Sequence, residues 1–475
     1  LSLPRQIAVI AFWPFLEQLL SFFVTSSDLF IATKIGVDAQ DTINISDGMG
    51  AVVFIMWFGF VIQGSIMMGA TAIVSRMTGA RDYPQAQHGL HQAAMLGLLA
   101  GTISCGLLFT CSDFMVTHVL TMNETARAYA LQYVYMAAFA APFSGVVFAI
   151  NAALRGSGDT RLPFWIMMSV GILNVIFSVI FVFADAPLGG WRIGGIAAGT
   201  VCGYGISMCI LLFIMLRRRK KIFTGRKNES LEELVRERGE HYAPPLYLSF
   251  SHLRPDMGMQ KRILKIGLPQ AVEVFGMWGI QMFCLSIISE LPVKGVLGVH
   301  NIAVRIESLS FLPGFAIGMA ASTLVGQYLG ARNALMARIT IWKCMRYAVI
   351  FMTGLGVLFS AFPALFMEIF SNGSTTLIDT GIPVLRTMLV VEPFFAACIV
   401  MKMSLRGAGD TRRVMLISYG IMGFFRVVCT WVWFRLAPET MTLWGIWLVF
   451  AFEMAVQSAI LYKIVKGRSW TKLQV

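Results

Sequence analysis

Uncharged apolar stretches of about 20 residues alternate along the chain with short polar connectors, and a helix of that length crosses the core of a bilayer. The pattern predicts an all-α integral membrane protein with about twelve transmembrane helices. The predicted helices start near Ala8, Met49, Leu90, Ala128, Pro163, Ile196, Ile263, Ile302, Ala334, Ile382, Val414 and Leu443.

The composition supports this prediction. Charged residues make up 13% and hydrophobic residues 57% of the 475 residues, whereas an ordinary soluble domain has about 25% charged residues. A soluble enzyme is therefore disfavoured. The helical stretches contain no HExxH, GxSxG or paired catalytic Asp residues, so we expect neither an enzyme nor a cofactor. The eight cysteines lack CxxC spacing and are interpreted as packing residues.

The net charge of +13 comes from basic residues that cluster in alternate connectors. By the positive-inside rule these connectors and both termini lie in the cytoplasm, so we expect a multi-pass protein of the bacterial inner (plasma) membrane. The charge then needs no nucleic-acid partner. The basic connectors contain Arg76, Arg81, Arg155, Arg161, the run from Arg217 to Lys221, Arg332, Arg338, Arg406, Arg412, Arg413, Lys463 and Lys466.

The first apolar segment contains Glu17 and Asp28 and lacks a cleavage pattern, so it is interpreted as a helix and not as a signal peptide. Because the chain begins at Leu1 without Met, we expect that a few native residues precede it.

The chain contains an internal repeat. One constant offset superimposes Gly79-Ala80-Arg81 on Gly330-Ala331-Arg332, and residues 155–161 on 406–412, which both read RGxGDTR. Each half has an even number of helices, so the halves are parallel repeats related by an axis along the membrane normal. We predict an N-lobe at 1–216, a cytoplasmic linker at 217–262, and a C-lobe at 263–475, with a central cleft.

Two short motifs lie at the inner side of this predicted arrangement. The RGxGDTR segments suggest a phosphate loop, but no strand precedes them, and a tight turn with Asp159 or Asp410 capping the next helix is the simpler interpretation. The linker predicts a short solvated helix that ends before Pro244-Pro245. That helix contains Glu229, Glu232, Glu233, Arg236, Glu237 and Arg238.

Together these features resemble the multidrug and toxic compound extrusion (MATE) family. The resemblance implies an antiporter in which entering H+ or Na+ drives the export of organic, often cationic, compounds. The residues that carry it are Leu16-Glu17-Gln18-Leu19-Leu20, Ser27-Asp28, the two LRGxGDTR turns, Gly267-Leu268-Pro269, His300-Asn301-Ile302 and Ala321-Ser322-Thr323-Leu324-Val325-Gly326-Gln327.

Asp28 is the leading candidate for ion coupling, because a carboxylate within the membrane is costly and is a functional hypothesis by default. The topology places Asn174, Ser178 and Thr200 at a similar depth, and their hard oxygens suit H+ or Na+ chemistry. The resemblance implies an N-lobe cation site here. Ser178 stands where one prokaryotic branch has a second Asp, so one site carboxylate remains. The alternatives are a helix-end Asp28 in outer water and plain interhelical hydrogen bonds.

Glu17, Glu273, Met277 and Trp278 are candidates for the substrate cleft. Glu17 and Asp28 fall on nearly one face of the first helix, and Glu273 is the repeat partner of Glu17. Another branch of the family has its acidic residue near Met277. Burial of both glutamates in hydrogen bonds within each lobe is the alternative. Further apolar candidates for the same region are Trp57, Phe58, Met67, Phe283 and Phe311.

The remaining charges favour structural roles. Lys402 is expected to reach the headgroups, and His88 with His91 form a weak metal pattern for which a surface role is favoured. An internal ion-pair network is predicted in the C-lobe, with its pairing left open. Its candidate members are Arg305, Glu307, Glu392, Arg426 and Glu453.

The leading function is therefore multidrug antiport by a monomer. A lipid-linked oligosaccharide flippase of the same wider superfamily, and a receptor or channel, are the alternatives.

Overall fold

The structure is a computed structural model that describes residues 2–119, 123–185, 187, 189–222, 231, 244–249, 254–293, 295–371 and 375–473. The first half consists of seven helices, and a π-helical turn, Met115–Val119, extends the third. They are α1 (Leu3–Thr33), α2 (Ala39–Gly79), α3 (Tyr83–Phe114), α4 (Glu124–Ala138), α5 (Ala141–Ser157), α6 (Arg161–Phe183) and α7 (Arg192–Ile222).

The described residues of the second half form eight helices, with a π-helical segment, Gly423–Cys429, between two of them. A short 3-10 turn, Ser469–Lys472, follows the last helix. The helices are α8 (Met257–Ser289), α9 (Val296–Gly330), α10 (Ala334–Ala361), α11 (Pro363–Ser371), α12 (Thr375–Gly407), α13 (Thr411–Met422), α14 (Thr430–Leu436) and α15 (Leu443–Lys466).

Side-chain caps set several of the helix starts, because a carbonyl or carboxylate oxygen binds an otherwise unpaired N–H of the first turn. Each capping residue accepts a hydrogen bond from the N–H three residues further on. These residues are Asp38, Asp82, Asn123 and Asn333.

Eleven helices of the described residues are long and apolar enough to cross a membrane, and α4 with α5 makes a twelfth span. These two helices meet at 55°, at a break just before Pro142, whose ring cannot continue the α4 hydrogen-bond ladder. About twelve transmembrane helices were predicted, and this is confirmed. Several helices start earlier than predicted, for example α2 at Ala39, because polar residues extend them past the apolar stretch.

The chain forms two compact units. The N-unit is Leu16–Ala271, and the C-unit is Leu1–Phe15 with Val272–Val475. The lobe boundaries at 1–216 and 263–475 remain a prediction. Apart from Leu231, the predicted charged helix between Glu229 and Arg238 lies outside the described residues.

Apolar residues fill the core of each unit and also cover its surface. Large side chains such as Phe23, Phe213, Phe351 and Leu416 are exposed. A surface of this kind is unusual in a soluble protein and is expected where acyl chains surround the helices.

Candidate functional site

Helices α6 and α7 lie unusually close together, and three glycines make this possible. Gly195, Gly199 and Gly203 follow one another at four-residue intervals on the α7 face that meets α6. A Cβ atom at Gly199 would lie 2.2 Å from Ser178 Oγ, and one at Gly203 would lie 2.9 Å from the Val170 carbonyl oxygen. This small-residue stripe, visible in the sequence, brings the polar residues of the two helices into contact.

The contact joins three of the predicted coupling residues. Asn174 Nδ2 donates to Thr200 Oγ1 at 2.8 Å, and Ser178 Oγ donates to the Ile196 carbonyl at 3.2 Å. Asn174 Oδ1 is buried and has no hydrogen-bond partner among the described residues. The Asn174 amide nitrogen therefore joins α6 to α7, while its carbonyl oxygen is available to a ligand.

Asp28 of α1 faces the same place. Asp28, Asn174 and Thr200 line one cavity of about 420 Å³ in the N-unit, whereas Ser178, fully buried behind it, is not among its lining residues. Asp28 Oδ1 is also buried without a partner in the described part of the chain. Two acceptor oxygens without a hydrogen-bond partner among the described residues thus lie at one cavity. Burying such oxygens costs free energy unless a proton or cation binds them.

Five aromatic residues contribute to the remaining cavity wall. Phe148 makes edge-to-face contacts with Phe60 and with Tyr204, each with ring centroids 5.7 Å apart. Trp57 and Tyr133 line the cavity as well. Aromatic faces attract cations, so the cavity can receive an organic cation as well as a small ion. Of these residues, the sequence analysis had proposed only Trp57.

We expect Gly199→Ala to abolish ion binding without removing any of the binding oxygens. Its new methyl group would lie 2.2 Å from Ser178 Oγ and 2.6 Å from the Ser178 backbone nitrogen, so α6 and α7 must move apart. Isothermal titration of the purified protein with Na+, and drug-induced proton release, measure the effect.

Gly64→Ala is the matched control, because nothing lies within 4 Å of its new methyl group. Unchanged ion binding in Gly199→Ala would contradict the assignment of this helix contact.

The second repeat has no equivalent polar set. The positions that correspond to Asp28, Asn174, Ser178 and Thr200 are apolar or weakly polar. They are Cys284, at the offset of 256 that aligns Glu17 with Glu273, and Phe425, Cys429 and Ala451, at the offset of 251 that aligns the RGxGDTR segments. The duplicated halves have therefore diverged at this site.

Glu17 and Glu273 occupy equivalent ion pairs. Arg155 Nη1 lies 2.9 Å from both carboxylate oxygens of Glu17, and Arg406 Nη2 lies 2.9 Å from Glu273 Oε2. Ser418 also donates to Glu273, at 2.6 Å. Both arginines are the first residue of an RGxGDTR segment, so the first segment links α5 to α1 and the second links α12 to α8. Whether Glu17 and Glu273 contact substrate stays a prediction.

The RGxGDTR segments themselves form tight turns. Gly158 and Gly409 adopt positive φ angles of 96° and 90°, which favour glycine. Asp159 Oδ1 accepts a hydrogen bond from the N–H of Leu162 at 3.2 Å. In contrast, the Asp410 side chain pairs with Arg413 at 3.3 Å and makes no capping bond.

The C-unit contains a buried ion pair. Arg426 Nε and Nη2 donate to Glu453 Oε2 at 3.0 and 2.9 Å, and the guanidinium lies 4.1 Å from the centre of the Phe450 ring. Glu392 is fully buried and accepts a hydrogen bond from Ser310 Oγ at 2.5 Å, while its Oε2 has no partner among the described residues. The sequence had left this pairing open.

The other candidates lie elsewhere. Met277 and Trp278 are half-buried on α8 and do not line the cavity of Asp28. Groups of three or more metal-binding side chains are absent from the described residues. His91 is fully buried, which differs from the surface role that we expected for it, and His88 is partly exposed.

A model of the MatE family matches residues 47–180 and 269–432, more than half of the chain. The chain belongs to the MatE family. This MatE protein is 24% identical over 432 residues to the probable multidrug resistance protein NorM of Thermotoga maritima, a match that covers 90% of this chain and 86% of that protein. It is 21% identical over 466 residues to the uncharacterized transporter YisQ of Bacillus subtilis, covering 96% and 93%.

Solved structures show the same fold. One, described as the "outward-facing conformation of a multidrug resistance MATE family transporter of the MOP superfamily", superimposes with a TM-score of 0.83 at 16% identity, covering 99% of this chain and 97% of that chain. A MOP superfamily transporter from Pyrococcus furiosus gives a TM-score of 0.84 with the same identity and coverage. The predicted family and the all-α multi-pass membrane fold are thus confirmed.

Proposed function

We propose that this protein is a secondary active exporter that moves amphipathic, often cationic, organic compounds out of the cell in exchange for H+ or Na+. The observation that carries the proposal is the cavity of the N-unit, where two unpartnered oxygens, Asp28 Oδ1 and Asn174 Oδ1, lie among aromatic side chains. The NorM proteins to which the chain is similar are named multidrug resistance proteins, which agrees with this function.

Coupling follows from the charge of one side chain. Asp28 has no basic partner among the described residues. A bound proton or Na+ therefore neutralises the charge of this carboxylate. An organic cation in the same cavity would use the same charge. The two ligands then compete, and each favours the conformation that binds it better, which is the condition for exchange by alternating access.

The remaining assignments complete the proposal. The protein acts as a monomer in the bacterial inner membrane, with both termini in the cytoplasm and without a cofactor. The basic connectors support this orientation.

Drug efflux from proteoliposomes tests the proposal, with sodium and proton gradients imposed separately. We expect efflux of a fluorescent organic cation under at least one inward ion gradient and none without a gradient. Counterflow of labelled compound across a balanced membrane separates a carrier from a channel. Efflux at the same rate with and without the two gradients would contradict ion-coupled drug export. Transport of a lipid-linked saccharide and of no drug would contradict it as well.

A further inference from the structure

The chain that leads into α8 is bound to the N-terminal part of α3. Four side chains from one stretch of α3 bind residues of this segment on both sides of positions 250–253, which lie outside the described residues. They are Gln87, His88, His91 and Gln92, and they bind Tyr247, Ser249, Asp256 and Gln260. We call residues 244–249 and 254–256 the strap. Leu246 and Leu248 anchor it further, since both are buried in the apolar core between α3 and α7.

Most of these contacts are hydrogen bonds between the α3 side chains and backbone groups of the strap. The side-chain amide of Gln87 binds both the N–H and the carbonyl of Tyr247, and the Ser249 N–H donates to His91 Nε2 at 3.0 Å. Gln92 binds the Arg254 carbonyl at 2.6 Å and the Asp256 N–H at 3.0 Å. Buried polar groups that satisfy a backbone in this way fix its position, because breaking them leaves donors and acceptors unpaired.

A side-chain hydrogen bond closes the end of the strap. His88 Nε2 lies 2.8 Å from Asp256 Oδ2. The hydrogen bonds from His88 and from the N–H of Gly258 hold the pKa of Asp256 below its usual value. Gln260, in the first turn of α8, donates to Gln92 Oε1 at 2.9 Å, so the contacts extend from the strap into the helix itself.

Helix α8 continues these contacts along α2. A Cβ atom at Gly69 would lie 2.2 Å from the Ile263 carbonyl oxygen, and one at Gly267 would lie 2.0 Å from the Ser65 carbonyl oxygen. Backbones approach this closely only where glycine removes the side chain. The first part of α8, Met257–Ala271, therefore packs as part of the N-unit, although the rest of the helix belongs to the C-unit.

The second repeat lacks the residues that hold the strap. The positions equivalent to Gln87, His88, His91 and Gln92 carry side chains of a different kind, Arg338, Ile339, Trp342 and Lys343. The four polar side chains are therefore specific to the first repeat, where the chain must pass from α7 to α8.

From these contacts we propose that the strap is a permanent anchor, which keeps Met257–Ala271 on the N-unit through the whole transport cycle. Movement between the units then bends α8 at Pro269. This residue lies just beyond the Gly267 contact, and because it has no backbone N–H it removes one hydrogen bond of the helix. The unit boundary between Ala271 and Val272 lies just after this residue. The proposal rests on the alternating access described above.

Cross-linking tests the anchor directly. Gln92→Cys and Gln260→Cys are combined in a background without the other accessible cysteines, and a short bifunctional thiol reagent joins them. We expect the cross-linked protein to export drug at no less than half the rate of the untreated protein. Loss of export on cross-linking, with recovery when the link is cleaved, would overturn the proposal, because α8 would then have to leave α3.

Hydrogen exchange gives a second measurement that does not need transport. Gln92→Ala should speed exchange of the amides at 254–262 about tenfold, whereas Gln85→Ala, at an exposed position about two turns earlier on the same helix, should leave it unchanged. Equal exchange in the two variants would also overturn the anchor. If the uncross-linked parent exports nothing under any gradient, the proposed function fails, and hydrogen exchange still decides whether the strap holds α8.

Discussion

The Asp28→Asn variant is expected to lose ion-driven export by about 100-fold, near the upper limit of coupling between two linked sites. The amide preserves the shape of the side chain but can neither take up a proton nor neutralise a cation. Asp28 is the charged residue of the cavity, and its Oδ1 is buried without a partner in the described residues. Efflux of a fluorescent cation from proteoliposomes under imposed H+ and Na+ gradients measures the loss.

Folding of the Asp28→Asn protein should be intact, because the substitution breaks no ion pair. Its monodisperse yield and melting temperature in detergent are therefore expected to equal those of the parent. Ser178→Ala is the matched control, since Ser178 bonds the Ile196 carbonyl and does not line the cavity among the described residues. Normal coupled export by Asp28→Asn, or equal losses in both variants, would remove Asp28 from the mechanism.

The Glu453→Gln variant is expected to lower the free energy of unfolding by about 3–5 kcal/mol, the usual cost of removing one partner of a buried ion pair. Glu453 is fully buried and accepts two hydrogen bonds from Arg426. The substitution leaves the buried guanidinium without its ion-pair partner. Thermal unfolding in detergent, followed by tryptophan fluorescence, measures the change.

Two further variants separate charge from burial. Adding Arg426→Gln to Glu453→Gln should restore most of the lost stability, because the buried charge is then gone. Glu392→Gln should cost only about 1 kcal/mol or less, since it replaces a carboxylate by an amide of the same shape. That carboxylate accepts a hydrogen bond from Ser310 and has no basic partner among the described residues. A loss in Glu392→Gln as large as that in Glu453→Gln would show that burial, and not the ion pair, sets the cost.

Hydrophobic pattern predicted much of the fold, because a bilayer admits few backbone arrangements. Every backbone polar group must be paired within the hydrocarbon, so a long apolar stretch can only be a helix. The bent span of α4 and α5 was predicted as one helix near Ala128, since hydropathy reports the length of a span and not its direction. The break lies just before Pro142, whose ring cannot continue the α4 hydrogen-bond ladder, a local effect that apolar length does not report.

The sequence by itself determined the number of spans and the repeat, and it proposed polar residues for a site in the N-unit, because apolar length, motif spacing and topology set which positions share a depth. The tertiary structure decided which of those residues meet. It placed Asp28, Asn174 and Thr200 around one cavity and Ser178 behind it, since a glycine stripe on α7 determines how close α6 can come. It also paired Glu17 with Arg155, residues too far apart in sequence for spacing to join them.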